Sequence, residues 1–137
     1  MINMRNPITQ EDPNGCGVAC LAFVLNKSYN ETRRYFNEKK LETGVYCPTL
    51  VKILRERGMD YEYQKINNEN LYLIQIDNAI IYTSPSPQYG TGHWLVRTSE
   101  KYMNSWINCD QNYDISKAKS GFVDKLPGEP QWVVYPV

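Results

Sequence analysis

The sequence predicts an α+β fold in which N-terminal helices pack on a C-terminal antiparallel sheet. Two observations carry this. Residues 16–26 (CGVACLAFVLN) are apolar on most faces, as in a helix buried in a core. From residue 61 onward the chain changes to β-branched and aromatic runs separated by turn residues, the pattern of strands. Helices first and strands afterwards segregate the two kinds of element, which is the α+β arrangement rather than an alternating parallel one.

The elements follow in order. Asp12-Pro13-Asn14-Gly15 is a polar lead in which Asn14 is a reasonable N-cap, so Cys16 falls in the first turn of the first helix. Ser28 followed by Glu31 resembles a capping box, and it opens a second helix expected over 29–39. Gly44 breaks the chain. Pro48 then precedes Leu50, Val51, Ile53 and Leu54, an i, i+3, i+4 pattern that closes at Arg57 and Gly58, a third short helix.

The runs YEYQKI (61–66), LYLIQI (71–76) and NAIIYTS (78–84) read as strands. Residues 84–92 form a loop by their Ser, Pro and Gly content, followed by a strand at 93–97 and another at about 101–107. Thr98-Ser99 suggests a tight hairpin between them. QWVVYPV (131–137) ends the chain as a strand whose Pro136 suits a sheet edge. No repeat or linker divides the chain, so 1–137 is expected to be one domain, large enough to bury about two-thirds of its unfolded surface.

Composition narrows the function classes. Fifteen Lys+Arg balance fifteen Asp+Glu, without the basic excess that binding a polyanion demands, so nucleic acid is not an expected partner. Nothing approaches ~18 consecutive apolar residues, and Met1-Ile2-Asn3-Met4-Arg5-Asn6 runs into polar residues without a signal-like apolar stretch. The expectation is a soluble cytoplasmic protein, or one delivered by a dedicated secretion system. Four cysteines (Cys16, Cys20, Cys47, Cys109) are then free thiols, and their spacing lacks the C-x2-C pairs of structural zinc.

The chemistry concentrates on two residues. A cysteine in the first turn of a helix meets unpaired N–H groups and the positive end of the dipole, both favouring thiolate. Gly15 and Gly17 beside Cys16 are small enough to let a substrate backbone approach the sulfur. His93 is the only histidine of the chain and opens a strand at the end of a Gly-rich loop, where the imidazole can face a cleft while Trp94 and Val96 point inward. A general base also needs an orienting partner. A turn at Thr98-Ser99 pairs Arg97 with Glu100, Leu95 with Tyr102 and His93 with Asn104; a longer loop would oppose His93 to Asp110 instead. The tighter turn favours Asn104.

With these residues in view, Gln10-Glu11-Asp12-Pro13-Asn14-Gly15-Cys16-Gly17-Val18-Ala19-Cys20-Leu21 resembles the active-site segment of the papain-like cysteine peptidases that remove double-glycine leader peptides from bacteriocins and quorum-sensing precursors. In that family a Gln stands six positions before a Cys-Gly-x-Ala nucleophile motif, the spacing of Gln10 and Cys16. Gly92-His93-Trp94-Leu95-Val96 resembles the family's histidine strand, and Asn104-Ser105-Trp106 is similar to the Asn-Ser-Trp of papain.

The resemblance covers nearly the whole chain and implies a papain-like cysteine protease fold with no metal or organic cofactor. It implies that Cys16 attacks an acyl carbon, that His93 activates the thiol and then protonates the leaving amine, and that Asn104 orients the ring. Gln10 and the Cys16 N–H would bind the oxyanion. A polypeptide is the implied partner.

Two features depart from the family: the interval from His93 to Asn104 is short, and no transporter segment is present in the chain. Josephin-type deubiquitinases share the same logic, so an isopeptide bond is an open substrate. A catalytically silent peptide-binding module, and a deamidase or transamidase using the same Cys-His pair, are the alternatives. Cys20 and the tryptophans Trp94, Trp106 and Trp132 are expected in the core or cleft wall.

Overall fold

The computed structural model describes residues 5–137; Met1 to Met4, on which part of the leader expectation rests, lie outside it. Helix α1 (Cys16–Leu25) is buried at every position from Gly17 to Val24, as its continuous apolar sequence requires. The capping box of Ser28 and Glu31 opens α2 (Tyr29–Arg33). The single helix expected over 29–39 is broken, because the Asn37 side chain accepts from Lys40 N–H and starts a new helix, α3 (Glu38–Thr43). Helix α4 (Cys47–Glu56) carries the predicted amphipathic stripe and stops before Gly58.

Six antiparallel strands follow: β1 (Tyr61–Lys65), β2 (Ile80–Thr83), β3 (His93–Arg97), β4 (Tyr102–Asn104), β5 (Gly121–Val123) and β6 (Pro130–Pro136). They form one sheet in the order β1-β6-β2-β3-β4-β5. One face packs on the helices through Ile80, Trp94, Val96, Met103 and Val134. The other buries Ile81, Leu95, Tyr102, Val133 and Tyr135 beneath Leu73. Strands covered on both faces read as unbroken apolar runs, which is why IIY and HWLV show no alternation. Among the described residues no helix is long and apolar enough to cross a membrane.

Four further expectations are corrected. LYLIQI is a 3-10 helix (Leu71–Gln75), because Asn67 and Asn70 close a side-chain turn before it and Asn70 Nδ2 donates to Gln64 and the Lys65 carbonyl. The strand expected at 101–107 shortens to β4, and β5 goes unforeseen because three residues are too few for a pattern. β6 is not an edge strand but lies between β1 and β2; Pro136 is tolerated because it pairs with Tyr61 beyond the point where β2 begins at Ile80. The fourth concerns the hairpin of β3 and β4. Arg97 faces Tyr102 and Val96 faces Met103, two residues out of the predicted register, with Thr98 N–H bonded to the Lys101 carbonyl across the longer connection.

Candidate active site

That two-residue slip still leaves Asn104 beside His93. Side chains alternate faces with a period of two, so a shift of two leaves Asn104 on the same face as His93, now diagonal to it rather than opposite. His93 Nε2 and Asn104 Oδ1 lie 2.8 Å apart. Asp110, the other candidate, is exposed and its carboxylate accepts from Asn112 N–H within its own loop.

The direction of the histidine bond follows from its neighbours. Trp106 N–H, which can only donate, points at Asn104 Oδ1 at 3.0 Å, so that atom is an acceptor. His93 must therefore donate from Nε2, and in the neutral ring the lone pair stands on Nδ1. His93 is 2% exposed, and burial pulls its pKa down to about 4 against the opposing effect of the Asn104 bond. A neutral imidazole with a bare Nδ1 is the form a general base requires.

Cys16 sits at the start of α1 behind Gly15, which is the N-cap in place of Asn14; the Asn14 amide instead donates to the Glu42 carbonyl. The cysteine is the one of the four that is not buried, and all four are free. Burial of the sulfur nevertheless pushes its thiol up, while the N–H groups of Trp94, Gly17 and Cys16 itself pull part of that back. Depth thus works against the thiolate that a helix start favours. The N–H of Trp94 places the sulfur beside the residue that follows His93.

The glycines flanking Cys16 do not make room for a substrate. A Cβ on Gly15 would fall 2.1 Å from the Tyr29 hydroxyl, and one on Gly17 would stand 3.1 Å from Val45. They are small because the protein itself occupies that space. Gly92, before the histidine, has φ +88 and would drive a Cβ to 2.6 Å from the Thr83 carbonyl, so the approach to β3 admits no side chain.

Gln10 is brought to the same place. Its Oε1 accepts from Ser105 Oγ at 2.7 Å, and its Nε2 donates to the carbonyls of Asp12 and Pro13 at 3.0 and 3.2 Å. The segment before Cys16 is tied to the helices by Asp12, whose carboxylate accepts from Tyr29 and twice from Arg33. Partial burial would raise that carboxyl, but the bonds from Arg33 and Tyr29 hold it below its ordinary value.

Gln10, Cys16 and His93 line one cleft of about 1170 Å³, walled further by Tyr46, Tyr82 and Trp132. Asn104 stands behind His93, 3% exposed. Trp94 is core, its indole N–H donating to the Val45 carbonyl, and Cys20 is fully buried. Sequence reasoning missed Tyr89, which stacks on the imidazole with ring centroids 3.9 Å apart. A tyrosine in a loop of Ser, Pro and Gly was the available signal, since a large ring there needs somewhere to be buried.

Keeping His93 neutral links stability to pH. The unfolded imidazole titrates near its ordinary value of about 6.5, the folded one near 4, so the unfolded chain binds the extra proton between these limits. The stabilisation is complete above about pH 6.5 and drains away as the pH falls towards 4, by up to about 3 kcal/mol. Urea unfolding at pH 7 and pH 4.5 should show a larger loss for the native protein than for His93→Gln. Equal losses in the two would contradict a buried neutral imidazole.

Comparison with known proteins adds one finding: a family model described as the Peptidase C39 family matches residues 5–125. No curated protein matches the chain.

Proposed function

Because the chain belongs to the Peptidase C39 family, a family of cysteine peptidases, we propose that it cleaves a peptide or isopeptide amide through a thioester on Cys16, with His93 as general base. Peptidase membership makes a polypeptide the substrate, and it bears out the resemblance read from the segment at 10–21 and the histidine strand. The observation that carries the residue-level reading is the tautomer: Trp106 N–H makes Asn104 Oδ1 an acceptor, which leaves the only histidine with its lone pair on Nδ1.

The step begins from a neutral pair. As Cys16 Sγ forms its bond to the acyl carbon, the thiol proton passes to His93 Nδ1, and the carbonyl electrons move onto oxygen. The Cys16 N–H and a Gln10 amide hydrogen stabilise that oxyanion; for this Gln10 gives up one of its two carbonyl contacts. The imidazolium, steadied by Asn104, returns the proton to the leaving nitrogen as the C–N bond breaks. Water then attacks the thioester with His93 again taking a proton, and the acid and Cys16 thiol are released. This sequence needs no cofactor.

A peptide carrying a thiol-directed acylating group tests the reading directly. Tryptic mass spectrometry should find the adduct on Cys16, with Cys20, Cys47 and Cys109 spared because they are buried. The His93→Ala protein should react at least about tenfold more slowly, the loss of a general base. Labelling spread over all four thiols, or undiminished by His93→Ala, would sink it.

A further inference from the structure

We propose that Tyr89 is a positioning residue for the catalytic pair: its hydroxyl holds the Asn104 amide the right way round, and its ring fixes the plane of the His93 imidazole. The inference rests on the reading of His93 as the general base, and it extends the site to a loop not assigned to the chemistry.

The Trp106 carbonyl can only accept, and Tyr89 Oη lies 2.7 Å from it, so the phenol proton is committed there. Burial pushes the Tyr89 pKa up to about 12, so that proton is present at any working pH. The remaining lone pair of Tyr89 must then accept, and its partner at 3.0 Å is Asn104 Nδ2. On the other side of the same amide, Oδ1 accepts from Trp106 N–H. The two backbone groups of one residue, Trp106, thus set the whole chain of bonds, one directly and one through Tyr89.

A flipped Asn104 would face its NH2 towards Trp106 N–H and towards His93 Nε2. That would favour an imidazole with its proton on Nδ1, the tautomer that cannot take a proton from the thiol. Removing the Tyr89 hydroxyl abolishes half of the discrimination between the two amide orientations.

The ring adds a second restraint. It lies on the imidazole at an interplanar angle of 6°, so rotation of His93 about its side chain would break a stacked contact as well as the Asn104 bond. Tyr89 is itself held rigidly. Its N–H donates to Ser86 Oγ and its carbonyl accepts from Ser86 and Gly92. The adjoining Gln88 side chain donates to the carbonyls of Ile107 and Cys109, each at 3.1 Å. The loop at 84–92 is thereby laced to the chain that follows Asn104, and a substrate that displaced it would disturb the base.

The test uses the fact that His93 is the only histidine. Nitrogen-15 labelling of histidine gives one pair of ring signals, which report directly which nitrogen carries the proton. The native protein at neutral pH is expected to show the proton on Nε2. Tyr89→Phe, which keeps the stack and the fold, should show a mixture of the two tautomers and a drop in kcat of about tenfold with KM little changed, the effect of one lost neutral hydrogen bond. Tyr89→Leu, without ring or hydroxyl, should fall further. A native tautomer ratio together with native kcat in Tyr89→Phe overturns the proposal, whatever Tyr89→Leu does. Failure of the peptidase reading would show separately, as absence of turnover in the native protein, and leaves the tautomer comparison to decide the role of Tyr89.

Discussion

Cys16→Ala, His93→Ala and the double variant are expected to share one residual level of hydrolysis, at least about a thousandfold below the native protein, because the members of a nucleophile-base pair act as a unit. Independent contributions would instead multiply in the double variant. The two single changes differ in their structural cost. Cys16 is half-buried in the cleft wall and loses only a sulfur. His93 is 2% exposed beneath Tyr89, so its removal leaves a cavity and costs about 2–3 kcal/mol of stability. Urea midpoints measured beside the kinetics separate that cost from the loss of the base, and His93→Gln fills most of the space without supplying a base. Turnover of a true substrate by His93→Gln at the native rate would end the mechanism, for no second histidine exists to replace it.

Asn104→Ala carries the next largest expected effect, a fall in kcat of roughly a hundredfold or more, since the tautomer and the aim of the imidazole both depend on it. The same substitution strands Tyr89 Oη and Trp106 N–H without their partner. Asp110→Ala should leave turnover within about twofold, because that carboxylate bonds only inside its own exposed loop and an exposed substitution of this kind perturbs little. Kinetics on the two variants side by side decide the matter. Damage from Asp110→Ala with Asn104→Ala active would mean that the working enzyme adopts another hairpin arrangement from the one described.

The choice between these two residues shows how far one-dimensional reasoning reaches. The predicted register was wrong by two residues, yet Asn104 still lies within hydrogen-bond reach of His93, because strand side chains repeat with a period of two and an even slip preserves the face. A slip of one would have turned Asn104 towards α1 and Met103 towards His93. The face survived because the assumed and the observed connection differ by an even number of residues; the loop length itself was not legible, since the connection is closed by Thr98 and Lys101, residues without a strong turn signature.

The thiol and the two flanking glycines mark a second boundary. A helix start does favour thiolate, and the sequence locates that start correctly to within one residue of its cap. The burial that opposes it arises only in the folded chain, where Cys16 packs against the main core and meets the N–H of Trp94, nearly eighty residues away. Gly15 and Gly17 likewise answer to Tyr29 and Val45, contacts that only a folded chain has.

The segregation of helices and strands, the first-turn position of Cys16 and the strand position of His93 were legible in the sequence, because each follows from a local run or a turn signal. The depth of Cys16 and His93, the interior place of β6 and the stacking of Tyr89 on the imidazole came from tertiary packing alone. Depth, strand order and the meeting of distant loops depend on which surfaces exclude water together, and no local pattern in the chain encodes that.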